Sequence, residues 1–242
     1  MIRNDLHVHS VQSMCGLHTL LEIVEIAANK GMRLVNISDH GSASGKKMNF
    51  WVIADKRRCP REINSTQRKT ITVLAGIETN ILDIDGNSDF PQGLVREFDL
   101  VSAGIHHPIG QSADENAQAL ENYLSQSPLD ILAHPCHARR PQNLEKVVAL
   151  SLEYGFALEV NNSSLSLGLT NVEQLEKMIN LARESGAPLV ENSDGHTFHT
   201  IGENEAIERF LNETGLDGDE IFINRDDQKL DAFLSRRKQM RE

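Results

Sequence analysis

Short apolar runs alternate with longer amphipathic segments along almost the whole chain. Seven of these runs predict β-strands, at residues 2–8, 34–37, 71–77, 100–105, 131–133, 157–160 and 188–190. Between most of them, apolar residues recur with helical spacing, most clearly in residues 19–30, 143–154 and 172–185, each of which is followed by a glycine. Strands that alternate with helices in this way predict βαβ units and a parallel sheet.

The length of the chain favours one α/β domain over two. It has 242 residues, and single α/β barrels commonly contain about 200–250. Hydrophobic residues make up 39% of the sequence, and no apolar run approaches the roughly 20 residues that cross a bilayer. Because the first residues lead directly into a strand-like segment, we expect no signal peptide. With no low-complexity linker or internal repeat, residues 1–242 are predicted to form a single domain.

Two segments have less regular patterns. Residues 46–69 are rich in basic side chains and predict a helix followed by a solvated loop, or a lid over the mouth of a barrel. The tail from Asp226 onward predicts a final amphipathic helix with Leu230, Phe233 and Leu234 on its apolar face.

Cysteine content and net charge restrict the compartment and the partners. Cys15, Cys59 and Cys136 are odd in number and irregularly spaced, which argues against a disulfide framework and favours the reducing cytoplasm. The formal charge of −11 argues against sequence-independent binding of nucleic acid, which needs a basic face. We therefore expect neither nucleic acid nor a membrane as a partner.

Ten histidines are distributed along the chain, and almost all lie at or just beyond the end of a predicted strand. In a parallel barrel the carboxyl ends of the strands share one face, where such proteins place their active sites. His7 and His9 point to the same side of their strand, because side chains alternate with a period of two, so both can reach one metal ion. For His18, His107 and His199 an ordinary surface or core role is favoured.

The polar residues that follow successive strands occur in the order HxH…DH…E…H…H…DxH. The residues in this order are His7, His9, Asp39, His40, Glu78, His106, His134, Asp194 and His196. A single HxH is weak evidence for a metal site, but the complete order is hard to obtain by chance. A mixture of imidazole and carboxylate suits zinc, iron or manganese better than calcium, which prefers oxygen alone.

These motifs resemble the PHP family, named for its polymerase-associated and histidinol-phosphatase members. The matching segments are residues 5–10 (DLHVHS), 38–41 (SDHG), 76–81 (GIETNI), 134–135 (HP) and 193–197 (SDGHT). Residues 158–164 (LEVNNSS) resemble the YcdX-type bacterial phosphatases in particular. The resemblance implies a single distorted (β/α)7 TIM-like barrel of the α/β class, with two or three divalent metal ions, zinc above all, and manganese or iron as alternatives.

The resemblance also implies how these ions would be held. His7, His9, Glu78 and Asp194 would bind the first. Glu78 would bridge to a second, completed by His106 and His134, while His40 and His196 would bind the third. At the position of a further histidine for the third ion this chain has Cys15, with His18 three residues later. Either residue is a candidate ligand, since a thiolate binds zinc well, and a weak or empty third site is the alternative.

The implied reaction is hydrolysis of a small phosphomonoester. A water bound between two cations would lose its proton near neutral pH and attack phosphorus, while the cations neutralise the other oxygens. Asp39 is expected to orient His40, or else to cap its loop. Arg139 or Arg140 is expected to grip the phosphate with two hydrogen bonds, or else to be part of a solvated pair at the start of the next helix. A small phosphorylated substrate is compatible with the acidic charge, because bound cations reverse its sign locally.

Two other functions are compatible with the same residues. A hydrolase of the amidohydrolase or TatD-nuclease type would have eight barrel strands and often lacks a residue such as His196. A non-enzymatic, regulatory PHP module would bind metal without hydrolysing phosphoesters, but the nearly complete ligand set argues against it. Assays on nucleic acid and on small phosphomonoesters separate these alternatives.

Overall fold

The structure is a computed structural model and describes residues 1–42, 55–107 and 112–241. These contain eight strands: β1 (Asn4–Val8), β2 (Leu34–His40), β3 (Glu62–Asn64), β4 (Thr70–Asn80), β5 (Leu100–Gly104), β6 (Ile131–Leu132), β7 (Ala157–Asn161) and β8 (Leu189–Asn192). All except β3 run parallel, in the order β1-β2-β4-β5-β6-β7-β8. The N–H of His9 donates to the carbonyl of Gly195 at 2.9 Å, which links the last strand region back to the first. The predicted barrel of seven parallel strands is therefore confirmed.

Helices follow most of the strands and cover the outside of the barrel. They are α1 (Leu20–Asn29), α2 (Gln92–Val95), α3 (Ala113–Leu124), α4 (Leu144–Tyr154), α5 (Asn162–Ser166), α6 (Val172–Ser185), α7 (Glu205–Thr214), α8 (Gly218–Ile221) and α9 (Asp227–Gln239). Thr19 forms a capping box with Glu22 at the start of α1, and Gly155 and Gly186 end α4 and α6 in left-handed conformations. In the described ranges, no helix has the length and apolar character that spanning a membrane requires.

The basic segment 46–69 differs from its prediction where the structure describes it. Residues 46–54 lie outside the described ranges, and from Lys56 onward a short 3-10 turn leads into β3, which pairs antiparallel with β4. Lys56 is buried, and its ammonium group donates to Asp39 Oδ2 at 3.0 Å and to two backbone carbonyls. The prediction of a solvated loop holds for residues 66–69, which are exposed, but not for Lys56, which neutralises a buried carboxylate. Strand β3 was not predicted, because it is too short and polar to show a strand pattern.

One apolar side chain from each parallel strand contributes to a layer inside the barrel. The layer consists of Leu6, Leu34, Leu74, Leu100, Ile131, Ala157 and Val190. Leu230 and Phe233 of α9 pack against it, so this helix closes the amino-terminal end of the barrel. The predicted terminal amphipathic helix is confirmed, and the opposite end of the barrel is left for the polar residues.

Helix α9 is held in place by a buried arginine. Arg237 is 4% exposed, and its guanidinium donates to Asp130 Oδ1 at 2.9 Å and to the carbonyl of Tyr154 at 2.6 Å. Asp130 also accepts a 2.7 Å hydrogen bond from the N–H of Val101, which connects the helix to β5.

Replacing this arginine should destabilise the fold strongly. We expect Arg237→Ala to lower the free energy of unfolding by about 1.5–3 kcal/mol, because the buried Asp130 would lose one of its two arginine partners and keep only Arg241. The matched control is Arg236→Ala, one residue away and exposed, with an expected change below about 0.5 kcal/mol. Urea unfolding measures both, and equal effects would contradict the role of the buried pair.

Candidate metal centre

Glu78 lies at the middle of a histidine cluster at the carboxyl end of the barrel. It is 1% exposed, and its Oε1 lies 3.2 Å from Nε2 of His106 and 3.1 Å from Nε2 of His134. Gly104 makes this approach possible, because a Cβ at that position would lie 2.9 Å from the ring of His134 and 3.0 Å from that of His106. One oxygen of the carboxylate therefore faces the histidines that follow β5 and β6.

The other oxygen of Glu78 faces histidines from β1 and β2. Its Oε2 is 3.3 Å from Nε2 of His7, 3.5 Å from Nε2 of His9 and 2.8 Å from Nδ1 of His40. Oδ1 of Asp194 completes this side, at 3.1 Å from Nε2 of His9 and 3.7 Å from that of His7. The structure thus brings together residues that are far apart in the sequence, with Glu78 between two sets of nitrogen atoms.

An irregularity in β1 directs its side chains into the barrel. The pairing of β1 with β2 shifts in register between Asp5 and Val8. As a result, Leu6 joins the apolar interior layer while the next residue, His7, also reaches the cluster. His7 and His9 then lie on the same side, with their Nε2 atoms 3.1 Å apart.

A third group of candidate ligands lies beside the first two. One ligand atom from each of His9, Cys15, His40 and His196 lies within 4.8 Å of the others. The ring of His9 stacks between those of His40 and His196, with centroid distances of 4.4 and 4.5 Å. Burial would raise the pKa of the Cys15 thiol, but hydrogen bonds with His196 and His40 lower it to about 6.

The electrostatics of the cluster follow from the burial of opposite charges. Burial would raise the pKa of Glu78, but the neighbouring His40 and His7 hold it well below its usual range. Burial would lower the pKa of His7, but Glu159 and Glu78 raise it well above its usual range. Without a cation, protonated imidazoles would supply the positive charge that these carboxylates require.

The donor atoms fit divalent cations. Within the described part of the chain, Oε2 of Glu78 and Nδ1 of His40 are buried and make no hydrogen bond, although they lie 2.8 Å apart. Buried polar atoms normally have a hydrogen-bond partner or a bound ion. Because no hydrogen is aligned between these two atoms, a bound cation is the partner that would satisfy both. Imidazole, carboxylate and thiol at this spacing are the ligands of zinc and related transition metals.

Asp39 lies behind the cluster, beside the loop that follows β1. Its Oδ1 accepts hydrogen bonds from the N–H of Ser10 at 2.7 Å and from the hydroxyl of Ser13 at 2.6 Å. The same hydroxyl lies 3.2 Å from Nδ1 of His9. The contacts of Asp39 therefore hold the loop after β1 and lead through Ser13 to His9, which corresponds to the loop-capping alternative.

Three other predicted residues lie outside the three ligand groups. Arg139 is exposed and Arg140 half-buried, on the loop that follows His134. The N–H of Arg140 donates to the carbonyl of His137 at 2.9 Å, which shapes this loop into consecutive turns. His18 packs edge-on to Phe198, with ring centroids 6.3 Å apart.

Glu159 of β7 is a residue that the sequence analysis did not include in the site. It is fully buried, its Oε1 lies 2.7 Å from Nδ1 of His7, and its Oε2 accepts the N–H of His134 at 2.7 Å. The side-chain amides of Asn161 and Asn192 also donate to it, at 3.0 and 2.8 Å. A carboxylate on Nδ1 fixes the tautomer of His7 and leaves Nε2 free to bind a cation. The available signal was a charged residue within an otherwise apolar strand.

The backbone is strained at two positions of the cluster. His134 has φ = 35° and Asp194 has φ = 52°, in the left-handed region that side chains other than glycine rarely adopt. Each such conformation costs on the order of 1–3 kcal/mol and persists where the surrounding structure requires it. Both residues turn directly after a strand, which aims their side chains back over the barrel end.

Weakening the support of His7 and His134 should reduce metal affinity. All four groups that contact Glu159 donate hydrogen bonds to its two oxygens. The side-chain amide of glutamine has only one accepting oxygen, so we expect Glu159→Gln to lower zinc affinity about 10–100-fold. Competition with a chromophoric chelator measures this. The control is Glu191→Gln, because Glu191 is also buried but contacts Arg225, outside the cluster. Unchanged affinity in Glu159→Gln, or an equal loss in the control, would contradict the role of Glu159.

Comparison with known proteins agrees with the resemblance noted in the sequence. The PHP domain model matches residues 5–163. A probable phosphatase of Aeromonas hydrophila is 32% identical over 235 residues, covering 96% of this chain and 94% of that protein. A probable phosphatase of Shewanella piezotolerans is 33% identical over 237 residues, covering 96% and 93%.

A solved structure supports the same fold. It is histidinol phosphate phosphatase from Lactococcus lactis in complex with zinc, L-histidinol and phosphate, with a TM-score of 0.55 and 15% identity. The match covers 89% of this chain and 94% of that one. The family model spans well over half of the sequence, and the two bacterial relatives align over nearly its full length. The chain therefore belongs to the PHP domain family.

Proposed function

We propose that this chain is a metal-dependent phosphatase that hydrolyses a small phosphomonoester at a cluster of two or three divalent cations, with zinc as the preferred metal. The observation that carries this proposal is the position of Glu78, a buried carboxylate with histidine nitrogens close to both of its oxygens. The names of the Aeromonas and Shewanella relatives support phosphatase activity. The zinc, L-histidinol and phosphate bound by the Lactococcus protein agree with a small phosphorylated substrate.

The proposed ligands fall into three sets, of which the first two share Glu78. They are His7, His9, Glu78 and Asp194 for the first ion; Glu78, His106 and His134 for the second; and Cys15, His40 and His196 for the third. Support comes from the short distances within each set and from His40, which reaches both Glu78 and the third group. When bound, such cations bring the pKa of a water ligand to about 7 and neutralise charge on a phosphoryl group.

The remaining residues act by positioning and by binding. Glu159 holds His7 and the turn at His134, and Asp39 holds His9 through Ser13. We assign phosphate binding to Arg140, because it follows the turn of His134 and is less exposed than Arg139. A guanidinium presents parallel N–H groups that match two phosphate oxygens.

A regulatory module and a hydrolase of the amidohydrolase or TatD type are less well supported. The barrel wall in the described residues has seven parallel strands and not eight, and the ligand groups include His196. Hydrolysis of single-stranded DNA in preference to phosphomonoesters would favour the nuclease. Bound metal without hydrolysis of any phosphoester would favour the regulatory module.

Metal removal should abolish phosphatase activity. We expect two or three zinc ions per purified chain by mass spectrometry, and hydrolysis of p-nitrophenyl phosphate that disappears on chelation and returns with zinc or manganese. Glu78→Gln should lower kcat by more than about 100-fold, because loss of one carboxylate weakens two ion sites at once. Activity that survives complete removal of metal would refute the proposal.

Removal of the phosphate-binding arginine should affect substrate binding. We expect Arg140→Ala to raise KM for p-nitrophenyl phosphate about 10–100-fold, since charged hydrogen bonds contribute about 1.5–3 kcal/mol. Arg139→Ala is the matched control and should change KM by less than about threefold. Metal content should stay the same in both variants. A larger effect in Arg139→Ala would transfer the role to that residue.

A further inference from the structure

Cys15 lies where its sulfur can act together with imidazole nitrogens. Its side chain is half-buried, and a ligand atom lies within 4.8 Å of those offered by His9, His40 and His196. Cys136 is not equivalent, because its buried sulfur contacts that of Met178 at 3.6 Å and belongs to none of the three ligand groups. Cys15 is therefore placed among metal ligands by the fold.

The loop that carries Cys15 is anchored by the buried ion pair of Asp39 and Lys56. Asp39 accepts hydrogen bonds from Ser10 and Ser13, and its other oxygen lies 3.0 Å from the ammonium group of Lys56. Each of these groups is almost completely buried. Ser10 and Ser13, which precede Cys15 in this loop, thus cannot shift without removing hydrogen bonds from a buried carboxylate.

The far side of the same loop is fixed by close packing. The N–H of Leu17 donates to the carbonyl of His196 at 2.9 Å. Gly16 lies against β1 so closely that a Cβ there would be 2.4 Å from the carbonyl oxygen of His9. Cys15 is held between these contacts and the ion pair, so its sulfur is already in position before any ligand binds.

His18 is held in a different place. Its carbonyl accepts a 2.8 Å hydrogen bond from the N–H of Val11, and its ring packs against Phe198. Among the described residues it belongs to no group of candidate metal ligands. Moving its ring into the cluster would remove it from its contact with Phe198.

We propose that Cys15, and not His18, completes the ligand set of His40 and His196, and that this nitrogen–sulfur site selects zinc over manganese and magnesium. A thiolate is a soft ligand that favours zinc, whereas manganese and magnesium prefer oxygen ligands. The sets around Glu78 contain only imidazole and carboxylate, so they discriminate less between these metals. The inference rests on the proposed function only in taking the cluster to be a metal centre.

Cobalt substitution tests the sulfur ligand directly. Cobalt bound by a thiolate absorbs strongly in the near ultraviolet, while cobalt bound only by imidazole and carboxylate does not. We expect the band in the cobalt-loaded wild type, its loss in Cys15→Ser, and its retention in His18→Ala and in the control Cys59→Ser. Zinc X-ray absorption of the wild type should show a sulfur at about 2.3 Å, again lost in Cys15→Ser.

Metal competition tests the selectivity. In a large excess of manganese, the wild type should retain about one more zinc ion per chain than Cys15→His, which keeps a nitrogen ligand at the same position. Circular dichroism confirms that each variant is folded.

The outcomes separate this inference from the proposed function. Bound metal and phosphatase activity without sulfur coordination, or a band lost in His18→Ala instead, would overturn the role of Cys15 alone. Equal zinc retention in the wild type and Cys15→His would overturn the selectivity. A wild type that binds neither cobalt nor zinc would overturn both this inference and the metal-dependent function.

Discussion

A carboxylate buried inside a barrel requires positive charge close by, and Glu78 imposes this requirement on the whole carboxyl end of the structure. Removing such a group from water costs several kcal/mol unless it is paired. The barrel meets the demand by ending its strands with histidines, so that imidazole nitrogens lie near both oxygens. The same arrangement that stabilises the buried charge also concentrates ligands for cations.

Two further buried carboxylates hold the ligands in place. Glu159 accepts a hydrogen bond from His7 and fixes this ring from within the barrel. Asp39 is paired with Lys56 and fixes the loop after β1. Their other contacts are backbone N–H groups, amides and hydroxyls, so little freedom remains for the histidines. The unfavourable φ angles of His134 and Asp194 fit this view, because rigid surroundings are needed to maintain them.

Much of this arrangement could be predicted from the sequence, because a parallel α/β barrel places the end of every strand on one face. The strands and the convergence of their histidines followed from apolar runs and from the polar residues after them. Glu159 could not be assigned in this way, since its partners come from other strands and their order around the barrel is not visible in the sequence. Strand β3 and the buried Lys56 were missed because short polar segments look solvated until the carboxylate they neutralise is known.

The apolar layer beneath the cluster affects how ligands enter and leave the barrel. Leucines from several strands and the side chains of α9 fill the barrel below the polar residues. Within the described residues, the barrel is therefore closed at its amino-terminal end by apolar side chains. Among the described residues, the apolar layer leaves the carboxyl end of the barrel as the opening through which a ligand enters and leaves. In a phosphatase built this way, inorganic phosphate and a new substrate molecule use the same opening. The product phosphate must therefore leave before the next substrate molecule can bind.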